Sequence, residues 1–166
     1  PTIPQLLSLF KYANYIVRFG HWKDTGVRLY GEGVWSFTCM FLEMWRICNE
    51  KETFIYDHYR PYIAVKEDGY VQPFGGGPHR NPDNPTEGAY TRMINKARDY
   101  IYITTPYLVL DQAMLNDLIN AAGSGVDVRI IVPAIPDKWY VYMVNVYNYG
   151  KLMEAGVRIF EYTPGF

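Results

Sequence analysis

Within RFGHWKDTG, residues 18 to 26, a histidine, a lysine and an aspartate fall inside four positions: His21, Lys23 and Asp24. An imidazole can attack an electrophile or move a proton, an ammonium can hold an anion, and a carboxylate can fix which imidazole nitrogen is free. The chain has two further histidines, His58 and His79. None of the three has a second His, Cys or acidic residue at the spacing of a zinc site, so no metal is expected, and no other cofactor either. Ser8, Ser36 and Ser124 lack the strand-turn-helix setting of a nucleophile elbow. The run GGGP at 75 to 78 offers bare backbone amides to an anion. It lacks the Gly-Lys-Ser/Thr ending of a nucleotide loop and reads instead as the flexible rim of a site.

One motif uses histidine and lysine two positions apart on a phosphodiester, the H-x-K-x(4)-D motif of phospholipase D enzymes. There the histidine attacks phosphorus and the lysine holds the phosphate. His21 and Lys23 have the first spacing, but Arg28 stands where the aspartate is needed. His58 is followed by Arg60 and Val65 at the two positions, and His79 by Asn81 and Thr86. No complete copy of the motif is present in these 166 residues.

The elements that must position these residues follow from the apolar pattern. After Asp24, Val27 and Leu29 alternate with Arg28 and Tyr30, which predicts a short half-buried strand ended by Gly31 and Gly33. From Val34 to Glu50, polar or small residues recur at three-four spacing among Trp35, Phe37, Met40, Phe41, Met44 and Trp45, which predicts a helix buried on most sides. Residues 51–68 mix charges with aromatics without a period and read as a connector. Beyond them the pattern alternates: strand 69–74, helix 87–98, strand 99–105, helix 112–122 between an Asp111 cap and a Gly123 stop, strand 126–132, helix 138–155 and strand 157–162.

Such alternation predicts an α/β fold, with a mainly parallel sheet flanked by helices. Ligands of open α/β sheets sit beyond the carboxyl ends of the strands. The segments there are GGGPHRNPDNP, TPYLVLD and PAIPDK, so Gly75 to Pro78, Pro106 to Tyr107 and Pro133 to Asp137 are expected to converge at one sheet edge. Gly77, Pro78, Tyr107 and Asp137 are the candidate substrate-binding residues.

Composition limits the partners. With 49% hydrophobic residues over 166 positions the chain can bury a sizeable core. Sixteen basic residues against seventeen acidic ones, without a long basic run, make nucleic acid an unexpected partner. Cys39 and Cys48 are nine apart in a helical stretch, on opposite faces, so a disulfide is not expected and a cytosolic setting is. No apolar run reaches the roughly 20 residues that span a bilayer.

Three stretches carry a resemblance: FGHWKDTGVRLYGEGV with FLEMW, YIYITTPYLVLDQAMLNDLINAAGSGVDVRIIVPAIPDK, and LMEAGVRIFEYTPGF. In order and spacing the chain resembles the phospholipase D superfamily, and within it the bacterial cardiolipin synthases, from about Tyr12 onward. Residues 1 to 11 depart from the family pattern.

The resemblance implies two similar α/β halves, each giving one H-x-K-x(4)-D motif to a shared cleft. Residues 1–50 would then be the C-terminal part of a first half, 51–68 the connector, and 69–166 the N-terminal part of a second half that stops before its motif. The chain is therefore expected to be a central fragment, inactive alone. The family's activity is phosphatidyl transfer between two phosphatidylglycerol molecules through a phosphohistidine, without metal, in the bacterial cell membrane, with the soluble domain on the cytoplasmic side and membrane attachment through parts outside this chain. The segment WKDTG stands where a carboxylate accepts a hydrogen bond from the first motif histidine, which makes Asp24 an orienting carboxylate and puts His21 and Lys23 on a surface rim. The alternatives are a non-catalytic anion- or lipid-binding α/β module and a phospholipase D-type phosphodiesterase of other substrate.

Overall fold

A computed structural model describes residues 15–16, 20–49, 51–60, 69–76 and 83–166. The chain forms two compact units, Gly26–Ala89, and Pro1–Thr25 together with Tyr90–Phe166.

The second of these is α/β. Its sheet has three parallel strands in spatial order β3 (Tyr100–Thr104), β4 (Asp127–Pro133) and β5 (Arg158–Tyr162). Helix α3 (Gln112–Gly123) joins β3 to β4, and α4 (Trp139–Glu154) joins β4 to β5. Parallel neighbours need such crossovers because a tight turn cannot reverse the chain twice. Asp111 caps α3 as expected, its carboxylate accepting from the Met114 N–H at 2.7 Å. Helix α2 (Pro85–Lys96) precedes β3 and contributes Ile94 to the core.

Val128, Ile130 and Val132 of β4 point to one face of the sheet, by strand alternation, and are buried against Leu115 and Leu118 of α3 and Leu152 of α4. The opposite face carries Tyr102, Ile131 and Phe160, all exposed. On that face Asp127 is bracketed by arginines: Arg129 Nε donates to Oδ2 at 2.9 Å, and Arg158 donates to Oδ1. Tyr102 adds a hydroxyl donor to Oδ2 at 3.0 Å, and the Arg129 guanidinium lies 5.0 Å from the centre of its ring. The arginine hydrogen bonds hold the Asp127 carboxyl well below the usual carboxylate range.

A carboxylate lowered on folding stabilises the fold above its unfolded value of about 3.9 and loses that contribution as pH falls through the lower folded value. Asp127→Asn is therefore expected to be less stable than the parent at pH 7, with the gap closing only below about pH 4. Urea midpoints of both proteins between pH 2 and 7 check this. A gap that closes near pH 6 would assign it to another group.

A second, two-stranded ladder begins the same unit, with β1 (Tyr15–Ile16) antiparallel to β2 (Gly20–His21). Residues 20 to 23 also run beside 164 to 166. The His21 N–H donates to the Pro164 carbonyl at 2.8 Å, the Phe166 N–H to the His21 carbonyl at 3.0 Å, and the Lys23 N–H to the Phe166 carbonyl at 2.8 Å. Gly20 makes this approach possible: its φ is +73°, and a Cβ there would stand 2.4 Å from the Pro164 oxygen.

The unit Gly26–Ala89 is built around α1 (Val34–Cys48), followed by a 3-10 turn at Tyr56–Tyr59. Arg60 lies over the Trp35 ring at 5.6 Å and pairs with Glu32 at 3.8 Å. The expectation that α1 is buried on most sides is corrected: Leu42 is its one buried residue, and Phe37, Phe41, Met44, Trp45 and Ile47 are exposed. Its own unit supplies loops and turns among the described residues and no sheet to cover those rings.

Two predicted strands are absent. Residues 27–30 and 69–74 take no strand conformation and pair with nothing among the described residues. Val27 and Tyr70 are both largely exposed, and alternation without a ladder partner does not hold a strand. The parallel sheet consequently has three strands among the described residues, where four were expected.

Candidate functional site

The carboxyl ends of the three parallel strands bring distant residues together. After β3, the Thr105 N–H continues the ladder to the Ile131 carbonyl at 3.0 Å, and Thr105 Oγ1 accepts from the Tyr107 N–H at 3.3 Å. This hydroxyl turn aims Tyr107 toward the end of β4. Tyr107 there donates its hydroxyl to Asp137 Oδ2 at 2.6 Å. Lys138 Nζ lies 5.1 Å from the centre of the Tyr107 ring, a cation on the negative face of an aromatic. The hydrogen bond to Asp137 and then burial push the Tyr107 phenol up, against the opposing effect of Lys138. Asp137 Oδ1 is itself buried and accepts no hydrogen bond from any described residue.

The end of the chain joins the same cluster. Phe166 packs edge-on against Tyr107 at 6.1 Å and tilted on Trp22 at 4.3 Å between ring centres. Through the 20–23 segment, Asp24 follows directly on Lys23, whose amide is bonded to Phe166. Asp24 is exposed. His21 is exposed as well, with Nδ1 2.7 Å from the Tyr162 hydroxyl.

Two buried asparagines fix the loop that carries Tyr107. Asn145 Oδ1 accepts from the Leu108 N–H at 2.8 Å, and Asn148 Nδ2 donates to the Leu108 carbonyl at 3.2 Å. Both backbone groups of a buried residue are thereby satisfied by one turn of α4. The signal available in the sequence was a pair of amides three apart in an otherwise apolar stretch, which periodicity alone would assign to the solvent face.

Of the sequence-derived candidates, Tyr107 and Asp137 meet directly, and Asp24 lies on the segment bonded to Phe166. Gly77 and Pro78 lie outside the described residues, and Gly75 and Gly76 belong to the other unit. Trp22, Lys138, Phe166 and the two asparagines were not singled out by sequence. Among the described residues no group of three or more His, Cys, Asp and Glu side chains could hold a metal ion, and no helix is long and apolar enough to cross a membrane.

What the arrangement can do chemically is limited but definite. It places an ammonium beside a phenol that a carboxylate holds, at a sheet edge walled by aromatic rings, which suits binding of a ligand with both a polar head and apolar parts.

Comparison with known proteins agrees. Residues 90–166 match the family model of the cardiolipin synthase phospholipase D-like domain. An uncharacterized protein of Streptococcus mutans serotype c is 46% identical over 156 residues, which are 94% of this chain and 34% of that protein. Cardiolipin synthases of Listeria welshimeri and Geobacillus kaustophilus are 34% and 36% identical over 157 and 149 residues, covering 94% and 89% of this chain and 32% and 30% of theirs. The chain thus spans about a third of the length of these relatives. No solved structure matches it. The three parallel strands that close on one aromatic, polar edge lie within residues 90–166, the stretch that is similar to the cardiolipin synthase phospholipase D-like domain.

Proposed function

We propose that this chain is the scaffold of a phosphatidyltransferase active site, working with two H-x-K-x(4)-D motifs supplied by polypeptide other than these 166 residues. The observation that carries this is the convergence of Tyr107, Asp137 and Phe166 at the carboxyl ends of the strands, in a domain matching the cardiolipin synthase family. One motif histidine attacks the phosphorus of a first phosphatidylglycerol, and the bond to its glycerol oxygen breaks as the other histidine protonates that oxygen. The hydroxyl of a second phosphatidylglycerol then attacks the phosphohistidine, returning its proton to the second histidine, and cardiolipin leaves.

In this reading the substrate lies across the strand ends. Lys138 faces the phosphate, beside the Tyr107 ring that Asp137 holds through its hydroxyl. Residues 69–166 form the N-terminal part of the second half of the enzyme, and the site works at the cytoplasmic side of the bacterial cell membrane.

Incubation with phosphatidylglycerol tests the reading, with products identified by mass spectrometry. The 166-residue chain alone should form no cardiolipin, and a protein joining it to both motifs should form cardiolipin and glycerol. Cardiolipin made by the isolated chain, or phosphatidic acid as the sole product of the joined protein, would contradict the assignment.

A further inference from the structure

Helix α4 is inside out. Its buried residues are Asn145, Asn148 and Leu152, whereas Trp139, Met143 and Tyr147, spaced by four, are 76%, 60% and 70% exposed. At about 100° per residue these three fall within roughly 80° of arc, and exposed Tyr140 widens the stripe. Lys138 stands just before the stripe. Lys151 continues it one turn past Tyr147, with Nζ 5.2 Å from the centre of that ring. Glu154, in the last turn, is the helix's one acidic residue.

We propose that this face of α4 docks on an anionic phospholipid surface. Trp139, Tyr140 and Tyr147 would sit at headgroup level, Met143 would reach the acyl boundary, and Lys138 and Lys151 would meet lipid phosphates. Three features select a bilayer over a protein partner. Tryptophan and tyrosine together are the side chains that membrane interfaces concentrate, since one end of each ring is apolar and the other polar. Lysines at both ends of the stripe can bury their stems and leave the ammonium among phosphates, whereas protein interfaces are depleted in lysine.

The third feature is position. The helix starts at Trp139, directly after Asp137 and Lys138, and those two residues meet Tyr107 at the strand-end edge. A bilayer on this face would therefore border the edge at which a lipid headgroup enters. The inference rests on the lipid reading of that edge for its choice of partner. Vesicle binding is read without turnover, so either can fail alone.

The test is co-sedimentation of the 166-residue chain with vesicles of phosphatidylglycerol and phosphatidylcholine. The chain is expected to bind, and the triple variant Trp139→Ser, Met143→Ser, Tyr147→Ser to bind roughly tenfold or more weakly with an unchanged far-ultraviolet circular dichroism spectrum. Lys138→Gln with Lys151→Gln should weaken binding several-fold, an effect that added salt reproduces in the parent. Should the triple variant misfold, Trp139→Phe serves instead: brominated lipid should quench the parent's fluorescence more than this variant's. The proposal is overturned by absent vesicle binding, by binding that the triple substitution leaves unchanged, by equal quenching in parent and Trp139→Phe, or by a dimer in solution that the triple substitution dissociates.

Discussion

Asp24→Asn, in an enzyme joining this chain to both H-x-K-x(4)-D motifs, is expected to lower turnover about tenfold or more while leaving the fold and the apparent affinity for phosphatidylglycerol in place. A histidine nucleophile must present one ring nitrogen unprotonated to phosphorus. A carboxylate on the other nitrogen fixes that tautomer and stabilises the imidazolium that forms when the ring acts as an acid. Asparagine keeps the shape and removes the charge. Asp24 is free to serve in this way because it is exposed, and because its predecessors are anchored by the hydrogen bonds of His21 and Lys23 to residues 164 and 166.

His21→Ala offers the contrast. It removes a single exposed contact, to the Tyr162 hydroxyl, and leaves the backbone ladder intact, so turnover should change little. Steady-state kinetics separates kcat from KM, and a thermal midpoint guards against misfolding. Unchanged kcat in Asp24→Asn, or a larger loss in His21→Ala than in Asp24→Asn, would falsify the assignment.

The largest expected effect on stability is at Leu118. This residue of α3 is fully buried in the cluster that includes Ile130 of β4 and Leu152 of α4. Leu118→Ala removes three carbons from a site with little room to collapse, because a β-strand and a second helix hold the walls. A loss of about 2 to 5 kcal/mol is expected. For a domain of this size that is a large share of the total stability, so the urea midpoint should fall steeply. Met143→Ser, on the exposed side of α4, should stay within about 0.5 kcal/mol of the parent. Equal losses at the two positions would mean that the apolar face of α4 is covered in solution.

The amino-acid sequence determined the regular part of the fold by local means. Asp111 begins α3 because its carboxylate satisfies an orphan N–H there, and α3 ends at Gly123, two residues before the left-handed Gly125. The runs YIYIT, DVRIIVP and RIFEY became parallel strands because helices between them supply the crossovers. This order was also enough to place Tyr107 and Asp137 at one sheet edge.

What tertiary structure alone decided were matters of pairing and direction. The alternation at 27–30 and 69–74 has the period of a strand, yet no described neighbour completes a ladder. Periodicity likewise groups the residues of α4 into faces without saying which face turns inward. Asn145 and Asn148 face inward because the buried backbone of Leu108, more than 35 positions away, needs a donor and an acceptor that aliphatic side chains cannot provide. The stacking of Phe166 between Trp22 and Tyr107 is equally invisible locally, since it depends on Gly20 admitting the 164–166 backbone to within the reach of a hydrogen bond.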